Sequence, residues 1–240
     1  MFAGSAVCPH PPMLLPGLAP GGSTELGDIR VACAEAVTAM LSSSPEVVVC
    51  AGAGEQRRRY DESAGGSAHG FGVDTRVGGG SSELPLALTV GAWLLDRAGW
   101  TGPRRYVELP PETTPEECAA IGDSTASADL RVGVLTMGDG SAKRSNSAPG
   151  YLDEGAGPFD AEVTRALSAP DFGWLVNGIS PELCTELWVA GRQAWQFLAG
   201  AARQAPRDGE VAARLHYQGA PYGVGYVVVS WQVTGSTRRS

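Results

Sequence analysis

The chain has 240 residues, 43% of them apolar and 18% charged, the balance of a globular protein rather than a disordered one. Its formal net charge of -8 tells against a general nucleic-acid binder or a binder of anionic membranes, whose footprints are basic. Five cysteines (Cys8, Cys33, Cys50, Cys118, Cys184), with no CxxC spacing, tell against a disulfide framework and a zinc knuckle.

Cys8 and Cys50 end apolar strand-like runs and Cys33 lies in a helical one, where a free thiol behaves as a small hydrophobe, and a reducing cytoplasm is the expected location. No signal peptide is expected at the N-terminus. No apolar run approaches the roughly 20 residues that span a bilayer. The basic cluster Arg57-Arg58-Arg59 reads as a solvated loop.

Taken in order, Ala3 to Cys8 is a short apolar strand. It runs into Pro9-His10-Pro11-Pro12, a stiff segment that cannot continue a sheet ladder. Thr24 to Leu41 carries Leu26, Ile29, Cys33, Val37 and Met40 at helical spacing, with Ser23 or Thr24 as the N-cap. Glu46 to Cys50, "EVVVC", is β-branched and apolar on both faces, which predicts a strand inside a sheet. Residues 51 to 82 are rich in Gly, Ala and Ser and show no period.

Leu84 to Ala98 predicts a buried helix, and Arg104 to Leu109 a strand. Thr114 to Ile121 predicts a short helix that tolerates Pro115 in its first turn. Leu130 to Met137 is a further central strand, and Phe159 to Leu167 a short helix. Pro181 to Arg203 reads as one long helix, with Leu183, Leu187, Ala190, Ala194, Leu198 and Ala201 on one stripe and Trp188 and Trp195 sharing a face. Gly225 to Val233 closes the chain as a strand, preceded by His216 on another.

Alternating strands and helices predict an α/β fold, a three-layer αβα sandwich around a mostly parallel or mixed central sheet. No internal repeat or linker divides the chain, so residues 1–240 are expected to form one domain. In open α/β sheets ligands bind beyond the carboxyl ends of the strands. Three exits stand out: Cys8-Pro9-His10, Cys50 to Glu55, and Met137-Gly138-Asp139-Gly140-Ser141. The third opens a long loop of the kind that binds ligands or is disordered.

At these exits the sequence resembles a known family. "CPHPPMLLPGL", "GDGSAKRSNSAPGYLDEGAGPFDAEV" (Gly138 to Val163) and "APYGVGYVVVSW" (Ala220 to Trp231) are similar, in order, to motifs of the catalytic B subunits of class III extradiol ring-opening dioxygenases. The resemblance implies a three-layer αβα fold and an Fe(II) site of two His and one carboxylate, with a further His as acid or base. It also implies self-association as a homo-oligomer.

Carried over residue by residue, the first ligand matches His10. Ala53 stands at the second ligand position and Ala142 at the acid/base position. Val189-Ala190-Gly191 falls where the carboxylate is expected, with Glu186 about one turn earlier. The expectation is therefore a homologue that has lost the Fe(II) site and the parent activity, needs no cofactor, and keeps a pocket for a small ligand or a partner.

Two alternatives remain. One is an active metal-dependent oxygenase in which Fe(II) is held by His10 with Glu55, His69, Asp139 or Glu186. The other is a structural or assembly protein acting through self-association.

Each candidate also has a plainer reading. His10 is a remnant ligand, or a strand-end His satisfied by backbone. His69 sits in a Gly-rich loop. Asp139 orients a substrate hydroxyl, or caps its own loop. Ser141 and Lys143 are catalytic or ligand candidates on that same loop. Lys143 and Arg144 could meet an anionic ligand such as a carboxylate, or stay solvated. No Walker loop, GxGxxG fingerprint or GxSxG elbow is present.

Overall fold

A computed structural model describes residues 1–18, 24–80, 83–127 and 129–235. Seven strands form the central sheet: β1 (Phe2–Cys8), β2 (Val47–Ala53), β3 (Arg58–Tyr60), β6 (Arg104–Leu109), β7 (Val132–Met137), β8 (Glu210–Gly219) and β9 (Tyr226–Thr234). Their order is β3-β6-β2-β7-β1-β9-β8. The middle strands β6, β2, β7 and β1 run parallel, and the outer strands are antiparallel to their neighbours. The parallel core follows from composition, since β1, β7 and most of β2 are buried along their length.

Helices cover both faces, giving the three-layer αβα arrangement. On one face lie α1 (Thr24–Ser42) and α2 (Leu86–Arg97), packed on Cys8, Val48, Cys50 and Leu135. The other face carries α3 (Pro115–Ala126), α4 (Ala156–Ser168), α5 (Phe172–Asn177), α6 (Pro181–Glu186) and α7 (Arg192–Ala202). Helices α3 and α7 touch backbone to backbone: a Cβ on Gly122 would overlap the Phe197 carbonyl, and one on Gly200 the Ala119 carbonyl. Helix α3 opens on a capping box, with Thr114 Oγ1 accepting from Glu117 N and Glu117 Oε2 accepting from Thr114 N. It runs five residues past the expected Ile121.

Three expectations are corrected. The Gly-rich stretch after β2 contains structure: edge strand β3, and a small hairpin-like pair of β4 (Gly65–Ser67) and β5 (Arg76–Gly78). Arg58 and Arg59 are therefore exposed residues of a strand rather than of a loop. The helix expected over Pro181 to Arg203 is two helices, α6 and α7, separated by a break at residues 187 to 191. Trp188 there adopts a left-handed backbone with φ 55°, and Val189 pairs with Ser141 instead of continuing the helix. Trp188 is consequently 55% exposed while Trp195 is fully buried, so the two do not share a face. The cap expected at Ser23 lies outside the described residues, and α1 begins at Thr24.

All five cysteines are free and buried. Among the described residues no helix is long and apolar enough to cross a membrane.

Candidate functional site

The carboxyl ends of β1 and β7 meet side by side, because the ladder that pairs them continues one step beyond the strands with Gly138 N donating to Cys8 O at 2.9 Å. This sets His10 beside Asp139. The His10 backbone N–H donates to Asp139 Oδ1 at 2.8 Å, and His10 Nδ1 stands 3.6 Å from the same oxygen. That second separation is too long for a hydrogen bond, and Nδ1 is buried with no partner. Proline on both sides denies the segment its usual backbone freedom.

Asp139 to Ser141 is clamped from both sides. Gly140 N donates to Gly225 O and Gly225 N to Ser141 O, which ties the turn to the entrance of β9. On the other side Ala190 N donates to Asp139 O, and Ser141 pairs with Val189. The Ser141 side chain is fully buried, with its hydroxyl donating to Leu187 O at 2.7 Å and accepting from Lys143 N at 3.1 Å. Ser141 thus fastens the break between α6 and α7 and is occupied by backbone. Lys143 folds back on its own loop, with Nζ 3.8 Å from Asp153 Oδ2. Among the described residues, two of the three non-glycine residues with positive φ, Tyr151 and Trp188, lie near this turn as large exposed aromatics. Strain of that kind persists only where surrounding contacts impose it.

The remaining candidates are not drawn in. Glu55 and Glu186 are exposed, and His69 is exposed at the head of a single 3₁₀ turn. The acid that does come against the altered turn after β2 is Glu108, near the end of β6. It is 4% exposed, with Oε1 accepting from Gln56 N at 2.8 Å and Oε2 accepting from Tyr60 Oη at 2.6 Å. Burial and this bond push the Tyr60 phenol up to about 12.

A second residue that the sequence reading passed over is Tyr226, at the start of β9. Burial raises its phenol well above the ordinary value, and the nearby charge of Asp139 raises it further. The Tyr226 phenol thus lies near enough to Asp139 to feel its charge.

The iron that the family resemblance implies needs two imidazoles and a carboxylate on one side of the metal. Among the described residues no group of three or more His, Cys, Asp and Glu could hold a metal ion. His10 and Asp139 are the donors that meet, while Ala53 and Ala142 carry none. The donor set does not fit the implied group, and no chemical step is derived through it.

His216 is the third histidine. It is the extra residue of a bulge in β8, where pairing to β9 shifts between Leu215 and Tyr217. The bulge turns its ring onto α1. Nδ1 lies 3.2 Å from Glu35 Oε2, and Nε2 lies 2.9 Å from Ser230 Oγ. A carboxylate only accepts, so Nδ1 carries the proton, and in the neutral ring Nε2 accepts from the serine hydroxyl. The order acid, imidazole, hydroxyl is that of a proton relay, yet Ser230 is 2% exposed in the middle of a three-strand ladder. The trio is a clamp between α1 and the sheet edge.

No protein-family model matches the chain, and no curated protein matches it. Among solved structures, the chain is similar to the uncharacterized protein JW3007 from Escherichia coli K12, with a TM-score of 0.51 and 13% identity over 95% of this chain and 99% of that one. The likeness is one of fold.

Proposed function

We propose that this chain is a homologue of the extradiol ring-opening dioxygenases that has lost the Fe(II) site and the parent reaction. It keeps the site beyond β1 and β7 for a small hydroxylated ligand. One observation carries the reading: His10, at the exit of β1, has a buried Nδ1 with no partner beside Asp139, while Ala53 and Ala142 stand at the positions where the resemblance expects further donors. A buried unpaired polar atom is costly, and a ligand group that meets it removes that cost. Asp139 would accept the ligand hydroxyl. The three ordered motifs support the family, and the sandwich fold is compatible with it.

The decisive measurement is metal content by mass spectrometry, on protein purified with and without oxygen and with and without added Fe(II), beside His10→Ala. The expected result is no stoichiometric metal in any preparation and no oxygen uptake with catechols. Near-stoichiometric Fe or Mn that vanishes in His10→Ala would overturn the reading in favour of a metal-dependent oxygenase built on His10 and Asp139.

A further inference from the structure

A cavity of about 180 Å³ lies on the opposite flank of the Asp139–Ser141 turn, between α4, the start of α7 and the ends of β8 and β9 that meet there; His10 is not among its lining residues. At roughly 30 Å³ per water, it offers space for about six small atoms or groups. Val163 and Val227 give it an apolar wall, and Arg144, Asp160, Thr164, Trp195, Gln218 and Tyr226 also line it.

The Asp160 carboxylate is already satisfied. Oδ1 accepts from Ser141 N at 2.9 Å, and Oδ2 accepts from Arg144 Nη1 at 2.7 Å. Gly140 and Gly225 press on it so closely that a Cβ at either would collide with the carboxylate. Arg144 is held by that contact at one nitrogen, is 30% exposed, and retains further N–H donors of its five. Trp195 is fully buried, and its indole N–H has no acceptor. Of the six buried polar side-chain atoms without a partner among the described residues, it alone belongs to a lining residue of this cavity.

The cavity is therefore bordered by Arg144, which keeps spare donors, and by Trp195, whose indole N–H lacks an acceptor, beside a carboxylate whose oxygens are both engaged. A ligand that suits it brings acceptor atoms, a negative charge for the guanidinium and a short apolar body. We propose that this cavity binds a small aliphatic carboxylate of about six non-hydrogen atoms. Its oxygens accept from Arg144 and Trp195, and its chain lies against Val163 and Val227. Arginine suits this task because its planar fork can grip two carboxylates at once, here Asp160 and the ligand. The inference does not rest on the reading of His10.

The test is a titration of the full-length protein with butyrate, followed by the indole N–H resonances of its six tryptophans. Trp195→Phe assigns the resonance; should that variant not fold, Trp→Phe changes at the other five positions assign it by elimination. The expected result is a saturable shift of the Trp195 resonance with butyrate and none with butyramide, which has the same shape without the charge. Arg144→Lys should weaken butyrate by about 10- to 100-fold, the loss of one charge-assisted hydrogen bond. A Trp195 resonance that stays still while butyrate rises, or that follows butyramide equally, overturns the proposal.

Discussion

The two partly enclosed histidines of this fold stand in opposite conditions. At His216 both ring nitrogens have partners, Glu35 and Ser230, and the side chain is 2% exposed. At His10 the backbone N–H has a partner in Asp139, but Nδ1 is buried and has none. The first imidazole completes a network that joins α1 to the sheet edge. The second stands beside a carboxylate with a hydrogen-bonding atom left over. The two side chains are similarly covered, and what separates them is the count of satisfied ring nitrogens.

If that contrast is right, stability and binding should separate between the two. The largest loss of stability is expected at the satisfied residue. His216→Ala removes two hydrogen bonds and leaves Ser230 Oγ buried without its partner, and should cost about 2–3 kcal/mol in denaturant unfolding. Glu35 is 55% exposed, so its share is small. A cost below about 0.5 kcal/mol would place His216 with ordinary surface residues.

Asp139→Ala comes next, at about 1–2 kcal/mol, because it strands the partly buried backbone N–H of His10. Asp139→Asn keeps an acceptor oxygen and should recover most of that loss. If both substitutions cost the same, the charge rather than the hydrogen bond holds the turn.

Alkaline titration probes the same rim. The folded Tyr226 phenol is raised by burial and by Asp139, and Tyr60 and Tyr106 are each raised to about 12. The folded state therefore binds these protons more tightly than the unfolded chain. Their contribution is fully present below the ordinary tyrosine value near 10 and is lost as pH rises through the raised values. Unfolding should thus become easier above about pH 10, and Tyr226→Phe should lessen the slope. A slope unchanged in Tyr226→Phe would mean that this phenol ionises normally.

Much of the fold could be read directly. The β-branched "EVVVC" forms a strand that runs three residues further than expected, to Ala53, and "RRYVEL" forms one at the expected bounds. The stripe from Leu183 to Ala201 misled because its spacing is helical throughout, while the break is imposed from outside by Ser141 and Asp139. Only Gly191 hinted at it. β4 and β5 were hidden because glycine carries no alternation.

Within the site, His10 and Asp139 were legible from the proline bracket and the strand exit. Tyr226 and Glu108 were not, since a strand pattern says which face a residue takes but not which residues share a rim. Asp160 lies on α4, which begins at Ala156, three residues before the expected Phe159, and nothing in its helical spacing marks it as the carboxylate behind the turn.

His10→Ala should have the smallest effect on stability, within about 1 kcal/mol, because its Nδ1 contributes no hydrogen bond. The backbone bond to Asp139 survives the substitution. Yet if Nδ1 awaits a ligand, this near-neutral change should remove binding at the strand exits altogether, while His216→Ala leaves binding intact in the fraction that folds. The pair of variants, compared by unfolding and by titration with small hydroxylated compounds, separates a histidine kept for the fold from one kept for a site. A His10→Ala protein that is strongly destabilised would erase the distinction, because the ring would then be holding the fold together as His216 does.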